Sequence, residues 1–198
     1  MRSIKSDPLI EHAMLFMNCR AEAGASLQHI HAQLIGTPIL PNALSQRWDR
    51  MKQHLDEFGN SILEQICHWE QEEAERVVEE SENFLVLCPY ASRFGYQLWI
   101  VPKQRFLFET MPDTIAHELG QLTRRYVQGL ESLLDQPAYN LLFHFAPRKY
   151  SDSEHWFVEI FPRLTRPAGF EWGTGWWVNS FAPEMVAEQF REYRKQSD

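Results

Sequence analysis

The chain reads as an α+β protein, and three features carry that reading. Residues 28–35 alternate in period two beside a second strand-like run at 13–18, which together make a hairpin. Residues 112–134 carry an apolar stripe at helical spacing. Strand-like runs stand on both sides of that long helix, and strands, one helix, then strands is an α+β order.

The elements follow from the N-terminus. A short helical piece starts at Asp7, with Pro8 suited to a first helical turn. A strand over Ala13–Asn18 joins a second over Gln28–Ile35 through a loop around Gly24. Pro38 and Pro41 end that hairpin, and a helix over Ala43–Glu57 presents Leu44, Trp48, Met51 and Leu55 on one side. Gly59-Asn60 is the natural boundary, giving a first segment of residues 1–58 and a second of 59–198. The second segment opens with a helix over Ile62–Glu73, then strands over Arg76–Glu79, Phe84–Cys88 and Gln97–Val101. The long helix over Pro112–Leu134 aligns Ile115, Leu119, Leu122, Tyr126 and Leu130. Strands over Tyr139–Phe145 and Trp156–Phe161 follow, then a strand near Trp176–Asn179 and a C-terminal helix from Pro183. An isolated two-stranded hairpin is marginal in water, so residues 13–36 must pair with the second segment or with another protomer. A homodimer is expected on that ground.

The chemically informative stretch is His29-Ile30-His31-Ala32-Gln33. In an extended strand, His29, His31 and Gln33 point one way while Ile30, Ala32 and Leu34 point the other and can seal against a core. The polar row offers nitrogen nucleophiles and hydrogen-bond donors to an anion. Upstream, Ala23-Gly24-Ala25-Ser26 is small enough to let a phosphate approach backbone N–H groups. Two histidines two residues apart are also a common surface feature, so the pair needs its context to carry meaning.

That context is the ordered set Asn18, Gly24-Ala25-Ser26 and His29-Ile30-His31-Ala32-Gln33, followed by Glu159–Leu164, Ala168–Glu171 and Pro183–Glu188. It resembles the galactose-1-phosphate uridylyltransferase family of the histidine-triad superfamily, from about Asp7 to the end of the chain. The resemblance implies an antiparallel histidine-triad-like sheet with flanking helices. Residues 59–198 would form one complete unit, preceded in 1–58 by the C-terminal part of another. It implies that His31 is a nucleophile taking up a nucleotidyl group and that Gln33 holds the phosphoryl oxygens of the adduct. Asn18, Gly24 and Ser26 would contact phosphate or ribose, and Glu171 would fall near a sugar-contacting segment. The substrates implied are a nucleotide sugar (a UDP- or ADP-hexose) and a sugar 1-phosphate. An imidazole, with an ordinary pKa of about 6.5, is largely neutral and nucleophilic at neutral pH. An amide such as Gln33 steadies phosphoryl oxygens without adding a repelling charge.

The chain also departs from the family pattern. A further N-terminal segment of the family, with a Cys-x-x-Cys zinc pair, has no counterpart here. His29 matches a position that binds zinc in many members, but Cys19, Cys67 and Cys88 are too scattered to join it, so no classical zinc site is expected. Ile30 stands where the family has Pro. Arg47 stands where some uridylyltransferases place a carboxylate metal ligand, and Phe157 and Glu159 stand where they have a His-x-His pair. A second metal site is expected to be erased. His155, Glu159 and His144 are instead read as ordinary polar positions of the sheet. The loss leaves two alternatives to an enzyme: a non-catalytic nucleotide-sugar-binding or oligomerising remnant, or one subunit of a split enzyme.

Composition bounds the rest. The 198 residues suffice for one or two small domains, and 44% hydrophobic with 23% charged residues is ordinary for a soluble protein. Seven tryptophans point to filled cores or stacking surfaces. A net charge of −8 argues against a nucleic-acid partner, which calls for a basic footprint. No apolar run is long enough to span a membrane and no signal peptide opens the chain, while three scattered cysteines fit a reducing cytoplasm.

Overall fold

A computed structural model describes residues 7–27, 29–153 and 155–197. Seven strands form a single sheet in the order β2-β1-β6-β7-β5-β4-β3, with every neighbouring pair antiparallel. The strands are β1 (His12–Cys19), β2 (Ala32–Thr37), β3 (Val77–Glu80), β4 (Phe84–Leu87), β5 (Leu98–Pro102), β6 (Tyr139–His144) and β7 (Phe157–Pro162). The helices are α1 (Asn42–Phe58), α2 (Ile62–Glu73), α3 (Asp113–Leu133), the short α4 (Gly169–Thr174) and α5 (Pro183–Ser197). This is the α+β architecture the element order predicts.

The helices form because their apolar positions recur on one side and their ends are closed. In α1, Trp48 and Met51 are buried, and Gly59 at φ 78° lets its N–H reach back to Leu55 O. Ser61 caps α2: its Oγ accepts from Glu64 N at 3.1 Å while its own N–H donates to the Glu64 carboxylate at 2.7 Å. In α3, the stripe of Leu119, Leu122, Tyr126 and Leu130 is buried.

Strand alternation divides the sheet into two faces. On one, Val86, Leu98, Ile100, Leu141, Val158 and Ile160 pack against the stripe of α3 and against Val186 and Phe190 of α5. On the other, Leu85, Leu87, Val101 and Phe157 pack against Trp48 and Met51 of α1 and Leu63 and Cys67 of α2. The sheet is thus covered on both sides through β4, β5 and β7, and all four residues of β4 are buried. Coverage thins towards β1 and ends at β2, whose outer edge has no strand partner among the described residues.

Three expectations are corrected. Asp7–Ile10 is a turn and not a helical piece: Asp7 Oδ1 accepts from Leu9 N at 2.9 Å, and an Asx-type turn competes with the helix. Trp176–Asn179 forms no strand, and its Trp176 and Val178 are solvent-exposed. The second hairpin strand is Ala32–Thr37 rather than Gln28–Ile35. Its ladder with β1 starts at Met17↔Ala32: β1 runs on to Cys19, but Asn18 and Cys19 pair only with β6, and residues 29–31 do not join the ladder. Gln28 lies outside the described residues. No helix among the described residues is long and apolar enough to cross a membrane.

Candidate functional site

The site starts where β1 ends. Arg20, at φ 70° and ψ 163°, turns the chain out of the sheet into a single 3-10 turn over Ala21–Ala23. Gly24 closes that turn at φ 89°, a conformation that favours glycine, and a Cβ there would meet nothing nearer than Asn18 Nδ2 at 3.7 Å. Three backbone donors of the loop are engaged internally. Ala23 N and Ala25 N donate to Arg20 O at 3.2 and 3.1 Å, and Gly24 N donates to Ala21 O at 2.9 Å. The small residues therefore serve as a compact turn, with the exposed polar side chains of Glu22 within it and Ser26 just after it.

Asn18 stands on the face of β1 beside this loop. Its side-chain oxygen accepts from Asn140 Nδ2 at 2.8 Å and its amide nitrogen approaches Gly24 O at 3.4 Å. Asn140, directly across on β6, also donates to Ala23 O at 2.9 Å. Two asparagines on adjacent strands thus prop the loop from below. Asn140 is a residue sequence reading missed, because its relation to Asn18 exists only through the β1–β6 register.

His29 and His31 lie just ahead of β2, their ring centroids 5.8 Å apart and tilted by 54°. His31 is half-buried, and its Nδ1 lies 3.2 Å from His29 O. A carbonyl oxygen only accepts, so this contact assigns the ring proton to Nδ1 and leaves the Nε2 lone pair available. Gln33 sits in the ladder opposite Phe16, on the sheet face that also carries Asn18 two residues along β1. The same transverse row continues through Leu142 and Glu159, and the next runs from Asn18 through Asn140 to Phe161. Phe161 stacks on Phe94 at 4.2 Å, with Trp177 edge-on at 5.1 Å, which gives the row an aromatic end wall.

The apolar partner set does not seal against a core. Ile30 and Leu34 are 53% and 39% exposed, because β2 projects past the helix layer that covers the inner strands. Glu171 lies apart from His31, in the short helix α4, where its carboxylate accepts from Ala168 N at 2.8 Å. It lines a cavity of about 210 Å³ with Arg93, Arg166 and Trp177. No described contact joins Glu171 to His31 or Gln33.

Neither metal position implied by the resemblance fits a metal here. Beside His29 the only other nitrogen donor in a described ring contact is His31. Cys19, Cys67 and Cys88 are all buried free thiols, and burial pushes Cys67 up to about 12, away from the thiolate a metal requires. Among the described residues no three His, Cys, Asp or Glu side chains are grouped to hold a metal ion. At the second position, Arg47 of α1 donates to His144 Nδ1 at 3.0 Å, and His144 Nε2 meets Glu159 Oε2 at 2.7 Å. Gln97 Nε2 and Arg93 Nη2 approach Glu159 Oε1 at 2.6 and 3.4 Å, and Phe157 stacks on the imidazole at 4.3 Å. A fixed guanidinium on the imidazole lone pair excludes a metal from that nitrogen. Burial holds His144 below the ordinary imidazole range, so it is the neutral member of the pair. Burial alone would raise Glu159, but the hydrogen bond from His144 and the nearby positive charge outweigh it and keep the carboxylate ionised. His155 takes no part. It is fully buried, with Nδ1 accepting from Ser61 Oγ at 2.5 Å and Nε2 donating to Pro102 O at 2.7 Å.

No family model matches the chain. It is 35% identical over 188 residues to ADP-glucose phosphorylase of Arabidopsis thaliana, covering 92% of this chain and 52% of that one. It is 31% identical over 203 residues to galactose-1-phosphate uridylyltransferase of Thermotoga maritima, covering 96% and 63% respectively. The crystal structure of the Arabidopsis thaliana phosphorylase with bound ADP-glucose superposes with a TM-score of 0.86 at 33% identity, over 96% of this chain and 62% of that one. A solved uridylyltransferase shares the fold at a TM-score of 0.87 and 21% identity, over 99% of this chain and 65% of that one. The chain spans about half to two thirds of the length of these curated relatives. Sequence and fold agree: over the half to two thirds of their length that it spans, the chain is similar to galactose-1-phosphate uridylyltransferases and to ADP-glucose phosphorylase.

Proposed function

We propose that the chain is a nucleotidyltransferase that moves a nucleoside monophosphate between a nucleotide sugar and a hexose 1-phosphate, or inorganic phosphate, through His31. The observation that carries this reading is the contact from His31 Nδ1 to His29 O, which leaves Nε2 as the nucleophile. Nε2 attacks the α-phosphorus of a UDP- or ADP-hexose; the bond from that phosphorus to the bridging oxygen breaks, and sugar 1-phosphate leaves with the electron pair. The ring then carries a nucleotidyl group on Nε2 and a proton on Nδ1, and His29 O accepts a stronger hydrogen bond from the now cationic imidazolium. An oxygen of a second sugar 1-phosphate, or of phosphate, attacks the same phosphorus and the P–N bond breaks. Dividing the transfer this way gives ping-pong kinetics. Gln33 steadies the phosphoryl oxygens, Asn18, Gly24 and Ser26 shape the nucleotide side, and Glu171 serves the sugar side. None of these steps is routed through a metal, because among the described residues no three His, Cys, Asp or Glu side chains are grouped to hold one.

The reading includes a homodimer. Both faces of β2 are largely solvated, and Ile35 and Ile39 beyond Leu34 are 49% and 74% exposed. An apolar edge strand of that kind pairs with another chain. It also includes the division into a partial unit over 1–58 and a complete unit over 59–198, joined by the β1–β6 ladder, and a cytoplasmic setting in keeping with three free buried thiols. A second reading, a non-catalytic nucleotide-sugar-binding module, is favoured by the lack, among the described residues, of a metal-binding group that includes His29.

Isotope exchange separates the two. Radiolabelled glucose 1-phosphate is incubated with the protein and unlabelled UDP-glucose or ADP-glucose. Label entering the nucleotide sugar supports the transferase. Binding of either nucleotide sugar by calorimetry with no exchange supports the binding module.

A further inference from the structure

The hairpin loop is entered through a strained residue that has no part in the proposed transfer steps. Arg20 has φ 70° and ψ 163°, a region that side-chain-bearing residues avoid and that persists only where the surroundings over-determine it. The surroundings here are specific. Arg20 Nη1 donates to Pro137 O at 2.5 Å, and Nη2 reaches Gln136 Oε1 at 3.3 Å and Glu131 Oε1 at 3.5 Å. These acceptors belong to the end of α3 and the turn that follows it, where Asp135 and Gln136 also have positive φ of 50° and 58°. Four residues beyond Gln136, Asn140 holds Asn18 and Ala23 O. One short stretch, residues 136–140, therefore grips the loop at both its entry and its middle.

The backbone carbonyl of Arg20 is itself a structural hub. It accepts from both Ala23 N and Ala25 N, so its direction decides the path of the whole 21–26 loop. We propose that Arg20 is a positioning residue: its guanidinium, clipped to the turn after α3, holds its own backbone in a glycine-like conformation and thereby aims the 21–26 loop at the nucleotide. That the loop meets a nucleotide rests on the function proposed above. That the loop is held by Arg20 does not.

Two variants in the full chain separate the roles Arg20 could play. Arg20→Ala loses the clip and keeps a Cβ in a conformation that disfavours one. Arg20→Gly loses the clip and leaves the backbone at ease. Amide hydrogen exchange at Ala23, Gly24 and Ala25 without ligand is the first readout, and calorimetric affinity for UDP-glucose and ADP-glucose is the second. Positioning predicts that Arg20→Ala speeds exchange at these three amides by about 10-fold, with Arg20→Gly much closer to the starting protein. Affinity for whichever nucleotide sugar binds follows the same order. Equal exchange in both variants, or exchange unchanged in both, overturns the inference, as does equal loss of affinity, which would mark a direct ligand contact. If exchange follows the predicted order and the unaltered protein binds neither nucleotide sugar, the positioning role stands and the proposed function falls.

Discussion

His31 and His144 are both histidines at the ends of sheet strands, yet the structure treats them in opposite ways. His144 is enclosed, with both ring nitrogens engaged, by Arg47 on one side and Glu159 on the other. His31 has one nitrogen turned to the carbonyl of His29 and the other without a partner among the described residues, at an edge where the neighbouring side chains face solvent. The first arrangement fixes a tautomer and ties α1 to β6 and β7, so its output is stability. The second leaves a lone pair unused and almost no packing, so its output is reactivity. Titratable groups with complete partner sets hold a fold together, and those with an incomplete set are where chemistry is available.

The largest expected break in the contrast is Glu159→Ala. It strips the acceptor from His144, Gln97 and Arg93 in a nearly water-free setting and leaves positive charge uncompensated, for a loss of about 3–5 kcal/mol in urea unfolding. The opposite change at the edge, Ile35→Lys on β2, leaves monomer unfolding within about 0.5 kcal/mol. Sedimentation should show it shifting the proposed dimer towards monomer, since a charge blunts an apolar edge strand. A Lys variant as dimeric as the parent would remove β2 from the interface.

Acidity sharpens the contrast further. Burial lowers both His144 and His155 in the folded protein, so the folded state binds fewer protons than the unfolded chain. The stability they contribute is present above the ordinary imidazole pKa of about 6.5 and is lost as pH falls below it. The expected result is a Tm that declines between about pH 7 and 5.5, with a shallower decline in His144→Gln. The smallest effect belongs to Gly24→Ala. Its Cβ would meet only Asn18 Nδ2, at an ordinary contact distance of 3.7 Å, so the φ of 89° is what opposes it, at about 1–2 kcal/mol of local strain. This variant should raise the KM for nucleotide sugar more than it lowers Tm.

Much of the scaffold is legible from periodicity alone. The stripe Leu44, Trp48, Met51 and Leu55 anticipates Asn42–Phe58 to within a residue at each end, and the stripe of the long helix likewise anticipates Asp113–Leu133. Burial on one side produces both the pattern and the helix. The errors lie where no helix layer imposes that pattern. Residues 29–31 alternate like a strand but do not join the ladder with β1, which pairs with β2 only as far as Met17, and Trp176–Asn179 is rich in strand-forming residues but has no sheet edge beside it in the described structure. Helix α4 could not be foreseen, because Gly169 and Gly173 are poor helix formers and a local bond from Ala168 N to Glu171 supports it.

The site divides in the same way. His29, His31 and Gln33 are adjacent in sequence and could be read together. Arg47, His144 and Glu159 come from α1, β6 and β7, and Asn18 and Asn140 from strands 122 residues apart, so only the tertiary register brings them into contact.

If His31 bonds to phosphorus during turnover, the adduct can be trapped: the protein is mixed with nucleotide sugar labelled at the α-phosphate, quenched in base, and the labelled peptide mapped by mass spectrometry. One acid-labile, base-stable nucleotidyl group on His31 is expected, absent from His31→Ala, whose Tm is unchanged. Label retained in that variant, or found on another residue, would contradict the bond to His31.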